Sequence, residues 1–341
     1  MFYADSLGFI NLPGKLPRIN FFSLMPELNL VHLTSAPPFS RENGKPLLME
    51  EVLREHEEFV KILNEQKCFE IIRSITDIEK LVKTNNYDHR KTGVVLGLQN
   101  PPDDILENNN MKVLYNEGIR IMTIAYECEN PFGGGCMARY SPLTKNGKKL
   151  LDSYAENEII FDFSHAGFRT ARETFEYIYM TKEALFLSVM ASHSGLKDIY
   201  EHPRNINDQI ADFIYKRDGI IGIPTLTFIL DEADNTLNGF MRHIKEVVYK
   251  YGQDNVCVGS DGVYKHCLDH KFEKFHKNMF DNIKYQDMWK VRFPEHPVEL
   301  NDRGKMFTIA KKLMEFYSEK VVEKICGLNF LNFLLRNLPS K

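Results

Sequence analysis

No stretch of this 341-residue chain approaches the roughly 20 uninterrupted apolar residues that a membrane-spanning helix needs. Tryptophan occurs once, at Trp289. The six cysteines, Cys68, Cys128, Cys136, Cys257, Cys267 and Cys326, are scattered and form no Cys-x-x-Cys pair. Cys257 and Cys326 sit in apolar runs and read as buried thiols acting as small hydrophobes. A formal charge of −4 and a pI near 6.3 leave no basic footprint for nucleic acid. The opening Met1-Phe2-Tyr3-Ala4-Asp5 carries neither a basic nor an apolar leader region. It therefore reads as the start of a strand, and a reducing cytoplasm is the expected compartment.

What is present is an alternation. Apolar runs at Phe2–Ile10, Leu30–Ser35, Gly93–Leu98, Ile119–Ala125, Ile159–Phe163, Leu185–Ala191, Gly219–Thr225 and Asn255–Gly259 read as strands buried on both faces. Helical spacing fills Met49–Glu65, Ile105–Glu117, Phe168–Tyr179, Ile206–Lys216 and Leu237–Tyr251. Eight strands alternating with helices predict a (β/α)8 TIM barrel, an α/β fold, as a single domain over 1–341. A doubly wound open sheet is the alternative, but the Gly-rich phosphate turn after its first strand is missing. The tail Lys305–Leu338 reads as two further helices, broken near Glu319-Lys320. Residues 265–303, rich in His, Lys, Asp and aromatics, read as an active-site or interface loop.

Two histidines close two of the strands, in Asp162-Phe163-Ser164-His165 and Ala191-Ser192-His193-Ser194. In a (β/α)8 barrel the carboxyl ends of the strands hold the active site. Two imidazoles there could grip one metal ion between them, although a catalytic zinc usually takes three protein ligands and a water. Other signals carry less. His266, Cys267, Asp269, His270 and His276 match no zinc spacing and read as a solvated loop. Gly133-Gly134-Gly135-Cys136 lacks the strand-to-helix context of a phosphate cradle. His32 reads as a satisfied structural histidine.

Several motifs in order resemble the membrane (renal) dipeptidase family, peptidase family M19, of the amidohydrolase-type barrels. They are Gly93–Asn100, Glu117–Ile124, Asp162–His165, Ser192–Ser194, Arg204-Asn205 with Asp208, Gly259–Gly262 and Gly327–Leu331. The resemblance implies a metallo-dependent hydrolase that cleaves dipeptides with two metal ions and a bridging water. It aligns His165 and His193 with histidines of the second metal. It aligns Arg204 with an arginine that grips the substrate carboxylate, and Asp261 with a catalytic aspartate. Tyr126 falls where the family has a histidine that contacts the scissile carbonyl; a phenol can also donate to an oxyanion.

The departures are equally specific. No His-x-Asp exists in the first hundred residues, where Leu7 and Phe9 occupy the ligand positions. The bridging glutamate is replaced by Gln99. One zinc ion on His165 and His193, with Asp261 as the third ligand, or no ion at all, are both left open. Three functions follow: a dipeptidase-like hydrolase with one metal ion or fewer, an inactive carboxylate- or peptide-binding barrel, and a metal hydrolase of a lactone or lactam. In each, the site residues are Asp261 and Tyr126 for chemistry, Arg204 and Gln99 for the ligand, and His165 and His193 for a metal. The resemblance also implies a homodimer.

Overall fold

The computed structural model describes residues 1–9, 28–40, 45–84, 91–182, 184–263, 291–300 and 304–341. Its strands are β1 (Ala4–Phe9), β2 (Leu30–Thr34), β3 (Phe69–Ile72), β4 (Thr92–Leu98), β5 (Ile119–Met122), β6 (Ile160–Asp162), β7 (Val189–Ala191), β8 (Ile220–Ile223), β9 (Val256–Val258) and β10 (Gly262–Val263). They pair in the order β10-β1-β2-β4-β5-β6-β7-β8-β9, with β3 joined to β4, and every pairing is parallel. β10 follows β9 after a three-residue step and sets Gly262 against Gly8 of β1. The Asp261 amide donates to the Leu7 carbonyl at 2.8 Å beside it. The sheet is a nearly closed parallel barrel wrapped in helices, the (β/α)8 architecture that the alternation predicts.

Two layers fill the barrel, and strand alternation creates both. Ala4, Leu30, Val95, Ile121, Ile160, Met190, Ile220 and Cys257, one from each ring strand, form a buried apolar floor. Two residues further along, side chains return to the same face. There the chain places Ser6, His32, Asp162 and Ser192, all buried. Glycine makes room for this second layer: a Cβ at Gly97 would lie 2.2 Å from His32 Nε2, and one at Gly259 1.8 Å from the Ser192 carbonyl.

The outer helices follow amphipathic spacing. α1 (Met49–Glu65) buries Met49, Val52, His56, Phe59 and Leu63, and α8 (Leu237–Tyr251) buries Leu237, Phe240, Met241, Ile244 and Val247. α2 (Ile75–Thr84), α3 (Asn110–Glu117), α4 (Lys145–Glu156), α5 (Phe168–Met180), α6 (Asp208–Lys216) and the short α7 (Thr227–Leu230) lie between them in sequence. Asn207 caps α6, its side chain accepting from the Ile210 amide at 3.1 Å. The tail carries α9 (Lys305–Leu313), α10 (Glu319–Glu323), a π-helical turn over Lys324–Leu328 and α11 (Asn329–Asn337). Phe330, Phe333 and Leu334 of α11 join the floor cluster and seal the base of the barrel. Asn329 anchors α11, donating to the carbonyls of Gln253 and Val256 at 2.7 and 2.8 Å.

Several boundaries differ from the sequence reading, each for a local reason. Leu185–Ala191 supplies a strand only from Val189; Phe186 is 85% exposed, so half of that apolar run lies outside the barrel. The helix expected from Ile105 starts at Asn110, after Asn108 and Asn109 take left-handed backbone angles. The tail breaks before Glu319 and resumes there. Gly327 sits in its π turn because a Cβ would lie 2.0 Å from the Phe2 carbonyl. β3, α2 and α4 have no counterpart in the expected elements. The end of the first expected strand, Trp289 and the His266–His276 cluster lie outside the described residues. Among the described residues, no helix is long and apolar enough to cross a membrane.

Candidate functional site

The mouth of the barrel gathers the residues singled out by sequence. β6 and β7 carry His165 and His193 just past their ends, and both are buried. His165 takes φ 68° and Asp261 φ 49°, left-handed angles that are uncommon for residues with a Cβ. At such angles the chain turns sharply off its strand. The two Nε2 atoms face each other at 2.9 Å, and the Gln99 amide nitrogen stands 3.4 Å from His193 Nε2. Tyr126 stacks on His165, with ring centroids 4.0 Å apart. Arg204 is buried and donates to the His193 carbonyl at 3.2 Å.

Hydrogen-bond bookkeeping settles the imidazoles. The Asp162 carboxylate accepts from the amides of Ser164 and Ser192, each at 2.9 Å, and from the Ser192 hydroxyl. Having given its one proton to Asp162, Ser192 Oγ accepts from His193 Nδ1–H at 2.6 Å. His193 Nε2 is then a bare lone pair, and His165 Nε2–H donates to it. This leaves His165 Nδ1 buried without a partner. Burial first, then the Arg204 charge, holds both histidines well below their ordinary pKa, so both are neutral.

Two further groups complete the electrostatics. His32 Nδ1–H donates to the Ser6 carbonyl at 2.8 Å, leaving Nε2 unpartnered, and burial lowers its pKa despite the Asp162 charge. It is therefore half satisfied, not the fully satisfied histidine expected. Tyr126 is pushed well above the usual phenol pKa by burial, then by Glu127 and Asp261, so it keeps its proton and remains a donor.

Sequence reasoning missed the support beneath these groups. Ser6 donates to the carbonyls of Ser192 and Val258 at 2.6 and 3.1 Å, tying β1, β7 and β9 together. Asp5 accepts from the Ser260 amide at 2.9 Å and from its hydroxyl at 2.5 Å, fixing the turn that carries Asp261. Ala4/Ser6, Leu30/His32, Ile160/Asp162 and Met190/Ser192 repeat one apolar-to-polar step at spacing two. That repeat was the signal available. The described part of the 265–303 loop reaches the same end of the barrel: His296 Nδ1 lies 2.9 Å from Thr225 Oγ1, and the Glu295 carbonyl accepts from the Thr227 amide at 2.7 Å.

The model of the family described as membrane dipeptidase (peptidase family M19) matches residues 46–276. The chain belongs to the membrane dipeptidase family. Among solved structures it is similar to an amidohydrolase from Pseudomonas aeruginosa: 21% identity, TM-score 0.76, covering 100% of this chain and 97% of that one. It is also similar to a metallo peptidase from Rhodobacter sphaeroides liganded with a phosphinate mimic of the dipeptide L-Ala-D-Ala: 15% identity, TM-score 0.70, 99% of both chains. Among curated relatives, dipeptidase verJ of Clonostachys rogersoniana is 26% identical over 161 residues, 44% of this chain and 38% of that protein. Dipeptidase ataJ of Aspergillus terreus is 22% identical over 291 residues, 78% of this chain and 62% of that protein. The chain thus spans less than two thirds of these relatives' own lengths.

The donor set of this membrane dipeptidase relative does not fit a paired metal centre. Leu7 is an apolar buried side chain and Gln99 a neutral amide. Among the described residues no three His, Cys, Asp or Glu side chains are grouped to hold an ion, so Asp261 does not join the histidines as a ligand set. Two neutral imidazoles fall short of the three protein ligands of a catalytic zinc. Their inward lone pair is already occupied by its neighbour.

Proposed function

We propose that this dipeptidase-family barrel takes a small dipeptide or related amide by its free carboxylate, with one metal ion or none in place of the family's paired centre. Arg204 carries the reading. It is 2% exposed, and its Nε and Nη1 donors have no partner. A buried guanidinium with open donors is costly, and a ligand carboxylate supplies a charged acceptor for them. Tyr126, a protonated phenol on the His165 ring, is the donor for the ligand carbonyl. Asp261 and Gln99 line the same mouth and orient the ligand amide. The Rhodobacter sphaeroides metallo peptidase liganded with a dipeptide mimic supports this ligand class.

Calorimetric titration of the full chain with L-Ala-L-Ala tests the reading. Arg204→Gln is expected to weaken binding by about a hundredfold, the equivalent of a lost buried charged hydrogen bond. Equal affinity in the variant, or no binding to the parent chain, would sink it.

Hydrolysis is the second reading, and one observation favours it. The Asp162–Ser192–His193 chain keeps the His193 proton on Nδ1, so Nε2 can serve as a general base once His165 Nε2–H turns from it to the ligand. Dipeptide turnover that disappears in His193→Ala would establish it. We further infer one domain over 1–341, a cytoplasmic setting and a homodimer. The cysteines among the described residues are unpaired, which suits a reducing compartment.

A further inference from the structure

Beside Arg204 a narrow cleft opens between the loops that follow β5, β6 and β7. Arg139, Lys197 and Arg204 line its polar side, with Phe163 and Ile210 among its apolar neighbours. Three cations therefore border one small space. The carboxylate paired with Arg139 and Lys197 is Glu201. A single oxygen, Glu201 Oε1, lies 3.3 Å from Arg139 Nη2 and 3.4 Å from Lys197 Nζ. Glu201 itself is 67% exposed, whereas Lys197 is 13% exposed and Arg139 32%. An exposed ion pair of this kind contributes about 0–1 kcal/mol and is readily exchanged.

Unmet hydrogen-bonding capacity accompanies the charge. Arg139 Nε and Arg204 Nε and Nη1 are buried donors without partners. Beside the seat at Arg204, the spare donor of Arg139 and the Lys197 ammonium, brought together from different loops, make a seat for a second anion. Glu201 marks where one carboxylate oxygen of that anion rests.

We propose that this cleft is a second anion seat and that the barrel's ligand carries two acidic groups, as a dipeptide ending in Asp or Glu does. One carboxylate meets Arg204; the other reaches Arg139 and Lys197 in place of Glu201. The proposal rests on the carboxylate reading of Arg204 and adds the ligand's second charge.

The test uses the full chain and two non-cleavable dipeptide analogues, with CO–CH2 in place of the amide so that the carbonyl is kept: Ala-Glu and its neutral isostere Ala-Gln. Calorimetry is expected to show the Glu analogue binding about tenfold more tightly than the Gln analogue, a difference of one charge-assisted contact. In Arg139→Gln/Lys197→Gln that preference falls to within about twofold, while the Gln analogue binds as before. Glu201→Gln, an exposed change that leaves the fold alone, raises affinity for the Glu analogue only. Equal binding of both analogues to the parent chain overturns the second seat and leaves the Arg204 reading standing. Failure of both analogues to bind removes both.

Discussion

The floor and the mouth of this barrel are built on the same strands, two residues apart, yet they obey different rules. On the floor every strand supplies one apolar side chain, and α11 closes the base with Phe330 and Phe333. Nothing there needs a specific partner, so any apolar set of the right volume would serve. In the mouth, Ser6, His32, Asp162, Ser192 and His193 are equally buried, but each is placed by a particular donor or acceptor. The floor stabilises by area removed from water. The mouth holds buried polar groups whose value depends on every bond being made. Its open valences, at His32 Nε2, His165 Nδ1 and Arg204, are therefore places where a ligand changes the balance.

Breaking the floor should give the largest effect on stability and the smallest on recognition. Phe330→Ala removes a fully buried ring and is expected to cost about 3–5 kcal/mol in denaturant unfolding, with dipeptide affinity unchanged in the folded fraction. A matching loss of affinity would show that floor and mouth are not separable.

A histidine in the helical shell sharpens the contrast. His243 of α8 accepts from the Leu196 amide at 2.9 Å and donates to the Leu230 carbonyl at 3.1 Å, so both nitrogens are met. Burial lowers its pKa from 6.5 to about 4. The unfolded chain therefore binds a proton that the folded chain refuses. The stabilisation is complete above pH 6.5 and fades as pH falls from 6.5 towards 4, by about 3 kcal/mol for that shift. His243→Gln should be less stable than the parent at pH 7 and converge on it in acid, as followed by unfolding at stepped pH. Parallel curves would count against the assignment.

The legibility of the sequence divides along the same line. Continuous apolar runs such as Gly93–Leu98 announce buried parallel strands, and α1 and α8 match their expected ranges. The placing of His165, His193, Arg204, Tyr126, Gln99 and Asp261 at one end of the barrel followed from strand ends and motif order. Arg204, singled out there by motif resemblance alone, is buried. What was not legible depended on pairing across the ring. That Ser192 reaches Asp162, and that Ser6 joins three strands, are relations between residues 30 to 252 positions apart. Short edge elements such as β3 were missed because four residues carry too little periodicity.

The smallest of these effects probes the mouth alone. Ser192→Ala removes one hydroxyl from a layer where Asp162 and His193 both depend on it. Asp162 keeps its two backbone donors, so its loss is partial. His193 Nδ1–H loses its acceptor, and a buried unsatisfied donor costs about 1–3 kcal/mol. The chain can reduce that cost by moving the His193 proton to Nε2, with His165 moving its own proton to Nδ1 so that its Nε2 becomes the acceptor. Nitrogen-15 spectra of the histidine rings are thus expected to show Nδ1–H at His193 in the parent chain and a shift towards Nε2–H in the variant. An unchanged tautomer would mean that His165, rather than the Asp162–Ser192 pair, sets the tautomer of His193.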